Sequence, residues 1–509
     1  MSESKGFIKN ISSNYFIFGL RVALGIYALP VCLHAFGLEL YGLYIISFGL
    51  SSSMAAFDLG SSKSIFRYAV EYNNDANREK FQEALNVSLS FNFFASILIF
   101  IAMITLGYFS ELVFNTTPEA NQFALPLFIL AAINALLLTT DAVPQNLLIA
   151  NKHFHSRNTF QFIFILLNLA LLLTIQFGNA ISIITFATCT TLLTAFTLLA
   201  DVYLVYKKRL TAMIKISLIF GRKLLNNRYT GYSLQVFGLA LVSFLAVQAD
   251  RIIIAGVLDV AAVTVYTIIT KPYFVLRGII AISFPVIQPT LNKLNLETTK
   301  ENFAKFTGKI IRTGFLVMLG VTLIASIFYD NVLTLWLGTS EYNSFIIWGM
   351  LSLVTLCITM LYSPYYRTLV LSNQIKIILN FSIVSVICNV IISIILSNYL
   401  GFQGVIIGTF IQIIAECIFS YKWFVSKLKP YNRNIFNLKF IGTSAALILI
   451  TLIFAYFSSN FSGKLLFDSI YFVLLTAIVS TIVYAFIKHE NVFAQFSPAN
   501  DINTINDVK

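Results

Sequence analysis

Apolar residues run along this chain in long unbroken stretches separated by short polar intervals. Fourteen such stretches can be marked, at 11–36, 40–62, 84–108, 123–149, 157–177, 181–206, 231–256, 260–289, 310–329, 343–370, 376–398, 402–425, 438–458 and 466–487. A helix needs about 20 mostly apolar residues to cross a hydrocarbon layer of about 30 Å. Each stretch meets that length, and none shows the period-2 alternation of a transmembrane β-strand. The pattern predicts an all-α polytopic membrane protein with about fourteen transmembrane helices. The first stretch follows Lys5 and Lys9. It is too long for the core of a signal peptide and lacks a clear small-x-small exit, so it reads as a span.

The polar intervals alternate in charge. Basic residues occupy the N-terminal tail and every second interval after it: Lys63, Arg67, Arg78 and Lys80; Lys152 and Arg157; Lys207 to Arg228; Lys293 to Arg312; Arg367 and Lys376; Lys422 to Lys439. The intervening loops 108–122 and 329–343 carry Glu111, Glu119, Asp330 and Glu341 and no Lys or Arg. All but five of the 34 basic residues fall on one side, the exceptions being Arg21, Arg251, Lys271, Arg277 and Lys464. By the positive-inside rule that side is cytoplasmic, and both termini are expected there.

Composition sharpens this picture. Of 509 residues, 58% are hydrophobic and 11% are charged, against about a quarter charged in soluble proteins. Cytosolic enzymes, nucleic-acid binders and disulfide scaffolds are excluded on that ground. The net charge of +12 is accounted for by topology, with no need of nucleic acid as a partner. Cys32, Cys189, Cys357, Cys388 and Cys417 are scattered through apolar runs without a CxxC pair, and read as reduced packing residues.

An ungapped shift of 222 residues lays the first six stretches on the seventh to twelfth. Asn73, Arg78, Glu79 and Phe81 fall on Asn295, Lys300, Glu301 and Phe303, and Glu119 and Phe123 on Glu341 and Phe345. Asn151 and Asn158 fall on Asn373 and Asn380, and Tyr44 on Tyr266. This predicts two six-helix lobes, 1–212 and 213–430, with residues 431–509 adding two helices and a cytoplasmic tail. Six spans per repeat give both lobes one orientation, so a pseudo-two-fold axis along the membrane normal is expected, with a substrate path between them.

Ionisable residues at membrane depth are costly and mark candidate function. Arg21 lies ten residues into the first stretch, roughly 15 Å deep. It shares a helical stripe with Asn14, Gly25 and Ala28, as a cavity-lining cation would; snorkelling or a structural ion pair is the bland alternative. The eighth stretch carries Lys271 beside Pro272, then Arg277 and Gly278. Proline loosens the backbone ladder there, as in helices that line transport paths. Asp250-Arg251 can be read as a functional cation or as a local charge pair. Asp58 lies close to the cytoplasmic interface. Polar stripes run through the fourth stretch (Asn134, Asp141, Gln145), the tenth (Thr355, Thr359, Tyr362, Tyr366) and the twelfth (Gln412, Glu416, Ser420). Taken singly, such stripes are more readily helix-to-helix glue than ligand sites. Asp250, Asp141, Glu416 and Asp58 are the candidate ion-coupling acids.

There is no Walker-type glycine loop, no nucleophile–base constellation and no metal-ligand spacing, so an enzyme, a cofactor or a metal is not expected. His153, His155 and Arg157 read as a solvated cytoplasmic turn. The basic, apolar-interleaved segment 207–230 suits an interfacial linker.

The run Tyr41-Gly42-Leu43-Tyr44, with Asp58-Leu59-Gly60 and Arg67-Tyr68-Ala69-Val70-Glu71, resembles the opening of the polysaccharide transporters, the Wzx-type O-antigen flippases. Asp250-Arg251-Ile252-Ile253-Ile254, Tyr266 and Trp336-Leu337-Gly338 resemble that family's second half. The resemblance implies membership of the multidrug/oligosaccharidyl-lipid/polysaccharide exporter superfamily. It also implies movement of polyprenyl-diphosphate-linked oligosaccharide from the cytoplasmic to the outer leaflet of the bacterial inner membrane. Arg21 and Lys271, with Arg277 and Arg251, would form a cationic cavity for the diphosphate, membrane lipids would hold the tail, and a polysaccharide polymerase would be a partner. Lys271 stands where an arginine is expected by analogy with lipid II flippases, which weakens bidentate clamping of phosphate. Two other functions stay open: a multidrug or small-cation antiporter of the same superfamily, which would need an acid-rich cavity, and a non-transporting scaffold of cell-envelope synthesis.

Overall fold

The computed structural model describes residues 2–54, 78–151, 153–178, 181–208, 210, 217–219, 230–297, 300–371, 375–428, 438–461 and 465–490. Among these the regular structure is entirely helical. The long helices are α1 (Ser2–Met54), α2 (Arg78–Tyr108), α3 (Pro118–Ala150), α4 (Phe154–Phe177), α5 (Ile183–Lys207), α6 (Thr230–Val257) and α7 (Val260–Glu297). They continue with α8 (Lys300–Leu337), α9 (Ile346–Leu371), α10 (Ile375–Leu400), α11 (Phe402–Leu428), α12 (Leu438–Phe461) and α13 (Leu465–Glu490). Eleven of them hold described segments long and apolar enough to cross a membrane. With α1 counted twice, and with α6 and α12 added, the helices match the fourteen apolar stretches. The protein is an all-α, multi-pass membrane protein.

Helix is the solution because an apolar solvent offers backbone amides no partner outside their own segment. The exception inside α1 is instructive. Gly37, at φ 74° and ψ 175°, breaks 53 residues of helix into two spans without any intervening loop. Its left-handed φ is open to glycine at little cost and to other residues at a penalty. Neighbouring polar groups fix the break. Leu38 O accepts from Thr264 Oγ1 at 2.7 Å, and the Glu39 carboxylate accepts from Thr117 N at 2.7 Å and Thr117 Oγ1 at 2.9 Å. Thr117 is in turn the N-cap of α3, ahead of Pro118 at the first helical position.

Contacts divide the chain into two compact units, Met1–Ile268 with Ser397–Val405, and Ile269–Leu396 with Ile406–Lys509. One division passes through α7, less than a turn before Lys271.

In the first unit, α3 is central and packs against α1, α2 and α5. Leu127, Phe128, Ala131, Ala132 and Ala135 are fully buried along it. Small residues let helices approach. A side chain on Gly107 would meet Phe128 Cβ at 2.5 Å, and one on Gly42 would meet the Val260 carbonyl, with Thr264 Oγ1 at 2.9 Å. Polar glue adds Asn92 Nδ2 to Thr139 O at 2.6 Å and Asn134 Nδ2 to Ser51 Oγ at 2.9 Å. Asn115 ties the α2–α3 connection to the α6–α7 turn, donating through its amide N to Ala255 O at 3.0 Å and through Nδ2 to Leu258 O at 2.9 Å.

In the second unit, α8 packs against α9, α12 and α13. Leu316 and Phe328 of α8, Phe440 and Leu447 of α12, and Leu475 and Val479 of α13 form one apolar cluster. Gly320 admits α13, since a Cβ there would stand 2.7 Å from Val479 Cγ1. Gly349 likewise makes room for the Tyr329 hydroxyl, which donates to the Ile269 carbonyl.

Candidate functional site

The stripe of α1 that carries Arg21 faces α4 of the same unit. Asn14 Oδ1 accepts from Asn158 Nδ2 at 2.7 Å, and Ser13 Oγ accepts from the same nitrogen at 2.8 Å. One turn further along α4, Gln161 accepts from the Arg21 guanidinium through its side-chain oxygen. Tyr27 continues the contact by donating to Gln176. Arg21 thus retains exposed surface while one of its nitrogens is held in place.

Below Gln161 on the same helix stands Arg157, whose Nε lies 2.8 Å from Asp201 Oδ2 of α5. This corrects the expectation of a solvated turn: Arg157 is drawn inward, with a side chain 15% exposed against an Asp201 that is 1% exposed. Asp141 of α3 meets Asp201 from the other side. A charged chain therefore runs from Arg21 through Gln161 and Arg157 to Asp201 and Asp141, on four helices of one unit. His153, in the loop just before α4, is partly buried beside Lys208, and both burial and that positive neighbour lower its pKa from 6.5.

Asp250 and Arg251 of α6 engage different neighbours. Asp250 Oδ2 accepts from Tyr266 Oη at 2.8 Å. Arg251 Nη1 donates to Gln248 Oε1 at 3.1 Å and sits 2.7 Å from where a side chain on Gly49 would begin. Gln248 also donates to Ser53 and, at 3.3 Å, to Gly49 O. The missing side chain at Gly49 is what lets a guanidinium lie against α1.

In α7, Pro272 withdraws one amide from the ladder. Lys271 beside it is half-buried. Arg277 is exposed, and its Nη1 donates to Tyr273 Oη at 3.2 Å, with the guanidinium 5.9 Å from that ring's centre.

Glu416 is embedded in a side-chain network. Its Oε2 accepts from Tyr362 Oη at 2.6 Å, and Oε1 accepts from Gln412 Nε2 at 2.9 Å and Ser385 Oγ at 3.2 Å. Gln412 accepts from Asn389 at 2.7 Å, which in turn accepts from Ser393 at 2.9 Å. These are the polar stripes of the tenth and twelfth stretches, joined as helix-to-helix glue by residues of the eleventh. Asp58 lies outside the described residues. All five cysteines are free thiols.

Sequence reading passes over Asp201 and Gln161 and finds Asn158 only as a position of the repeat. An acid inside the sixth stretch was a visible signal. The partners of Arg21 and Arg157 lie 140 and 44 positions away, a distance no local pattern spans.

No protein-family model matches the chain, and no curated protein matches it by sequence. Solved structures do. The fold is similar to that of solved transporters and flippases, as three of them illustrate. The lipid II flippase MurJ in an inward closed conformation superposes with a TM-score of 0.70 at 16% identity, over 94% of this chain and 99% of that one. An inward-facing multidrug resistance MATE transporter of the MOP superfamily gives 0.57 at 18% identity, over 82% and 95%. A MOP superfamily transporter from Pyrococcus furiosus, described as having a binding pocket of reverse polarity, gives 0.54 at 20% identity, over 84% and 97%. These structures are of transporters and flippases, and at such identities the likeness speaks for the fold.

Proposed function

We propose that this protein is a flippase that carries polyprenyl-diphosphate-linked oligosaccharide, the repeat unit of an O-antigen or related surface polysaccharide, from the cytoplasmic to the outer leaflet of the bacterial inner membrane. One observation carries the reading. A chain with the fold of a lipid-linked flippase places its membrane-depth cations, Arg21, Arg251, Lys271 and Arg277, in the helices α1, α6 and α7. In this reading two duplicated six-helix lobes, 1–212 and 213–430, alternate access, helices of 431–509 are an addition, and both termini are cytoplasmic. The sugar-diphosphate head passes between the cations while the polyprenyl tail stays in lipid. An inside-negative membrane potential favours outward movement of the anion by about 2.3 kcal/mol per charge per 100 mV, so ATP is not required. A polymerase of the outer face would take the product.

Arg21→Ala or Lys271→Ala is expected to abolish surface glycan at near-normal protein level. Arg21→Lys and Lys271→Arg are expected to keep part of it, since charge matters more than shape for a mobile head group. Glycan and protein are read together by gel and immunoblot of the host cells. Normal glycan in the double alanine variant at equal expression would overturn the cationic path. An antiporter of drugs, as in the MATE structures, would instead leave glycan intact and change drug accumulation.

A further inference from the structure

The acids at the end of the chain of charges carry an arrangement that the flippase reading does not use. Asp141 is 5% exposed and Asp201 is fully buried. One oxygen of each, Asp141 Oδ1 and Asp201 Oδ1, has no hydrogen-bond partner. The two side chains nevertheless lie within hydrogen-bond reach of each other. Two bare carboxylates in contact in a dry interior repel, and each unpaired buried oxygen costs free energy. One proton on the pair removes both faults, turning the contact into a hydrogen bond and leaving one negative charge for Arg157.

The charged groups around the pair are few among the described residues. Arg157 faces it from α4 and Arg21 from α1. The α2 side presents Asn92, which donates to Thr139 O, together with buried Ser88 and Ser96. Its charged residues, Arg78, Glu79, Lys80 and Glu83, lie at the start of that helix, and Lys207, Lys208 and His153 lie at the neighbouring helix ends. With the proton bound, the four charged groups sum to one positive charge; without it they sum to zero.

We propose that Asp141 and Asp201 form a one-proton site, and that loss of this proton binds Arg157 and Arg21 to the acids in competition with an anionic ligand. The second half rests on the anionic substrate of the preceding section; the first does not. Protonation frees positive charge for a diphosphate, so by linkage diphosphate binding takes up a proton. A single linked proton changes affinity by at most about tenfold per pH unit.

The test uses the full chain in lipid nanodiscs. Infrared difference spectra between acidic and alkaline buffer are expected to show a protonated-carboxyl band that disappears on alkalinisation and is missing from Asp141→Asn. The same band in both Asp141→Asn and Asp201→Asn, or no band in wild type, overturns the proton site. A band displaced by sodium at fixed pH assigns the pair to a metal cation and also overturns it. Binding of undecaprenyl diphosphate is then titrated against pH. Wild type is expected to bind more tightly toward acid, beyond the trend of Asp141→Asn, which shares the ligand's own titration and lacks the site. Identical pH trends in the two proteins overturn the competition. If the band titrates but undecaprenyl diphosphate fails to bind at any pH, the flippase reading falls and the proton site stands.

Discussion

Gly37 shows how much one residue can decide. Its positive φ divides α1 into two spans, and a Cβ there would meet nothing within 4 Å. Gly37→Ala therefore tests the backbone alone, and is expected to destabilise the protein by about 1–3 kcal/mol. Gly19, also in α1 and also free of neighbours, is ordinary helix. There Gly19→Ala is expected to stabilise by up to about 1 kcal/mol, from helix propensity. Thermal unfolding of the two variants in detergent should thus shift in opposite directions, and a shared direction would contradict the assigned conformation at Gly37. The sequence marks this break: the apolar stretches 11–36 and 40–62 stop and resume around Gly37, with His34 and Glu39 on either side. Arg21 is legible too, because a charge inside a long apolar stretch is rare whatever surrounds it.

At the scale of elements, small and polar residues do the joining, as expected where lipid removes the hydrophobic drive between helices. The approach of α1 to α7 at Gly42 leaves little slack, since the obstacle is the Val260 carbonyl and not a flexible side chain. Gly42→Ala is expected to lower stability by about 1–3 kcal/mol, the cost of overpacking. Loss of the Thr264 bond to Leu38 O should follow. Size-exclusion profiles and melting of Gly42→Ala against wild type give the measurement, and an unchanged melting temperature would mean that α1 and α7 are looser than described. The stripes of Asn134, Thr355, Gln412 and Glu416 could be found in the sequence by helical spacing. Their role as glue came from partners on other helices: Ser51 for Asn134, Asn389 for Gln412, and Tyr362 and Ser385 for Glu416.

For the whole molecule, alternation of basic and acidic intervals predicts which side each connection faces. Reporter fusions after Asn115 and Thr339 are expected on the outer side, and fusions after Lys208 and Ser372 in the cytoplasm. A consistent inversion would reverse the direction of the proposed transport. The apolar cluster of α8, α12 and α13 bears on residues 431–509: removing α12 and α13 would bare Leu316 and Phe328.

The sequence by itself determined that this is a helical membrane protein and which of its stretches are long and apolar enough to cross. Those facts are set by the cost of placing polar groups in hydrocarbon, which each segment meets or fails alone. Tertiary structure decided what the charges do. Arg157 reads as a loop residue until Asp201 draws it inward, and Asp141 reads as one polar position in a stripe until Asp201 meets it across two helices. A pair of acids with unpartnered oxygens is a property of two helices at once, because desolvation and repulsion depend on what the packing brings together.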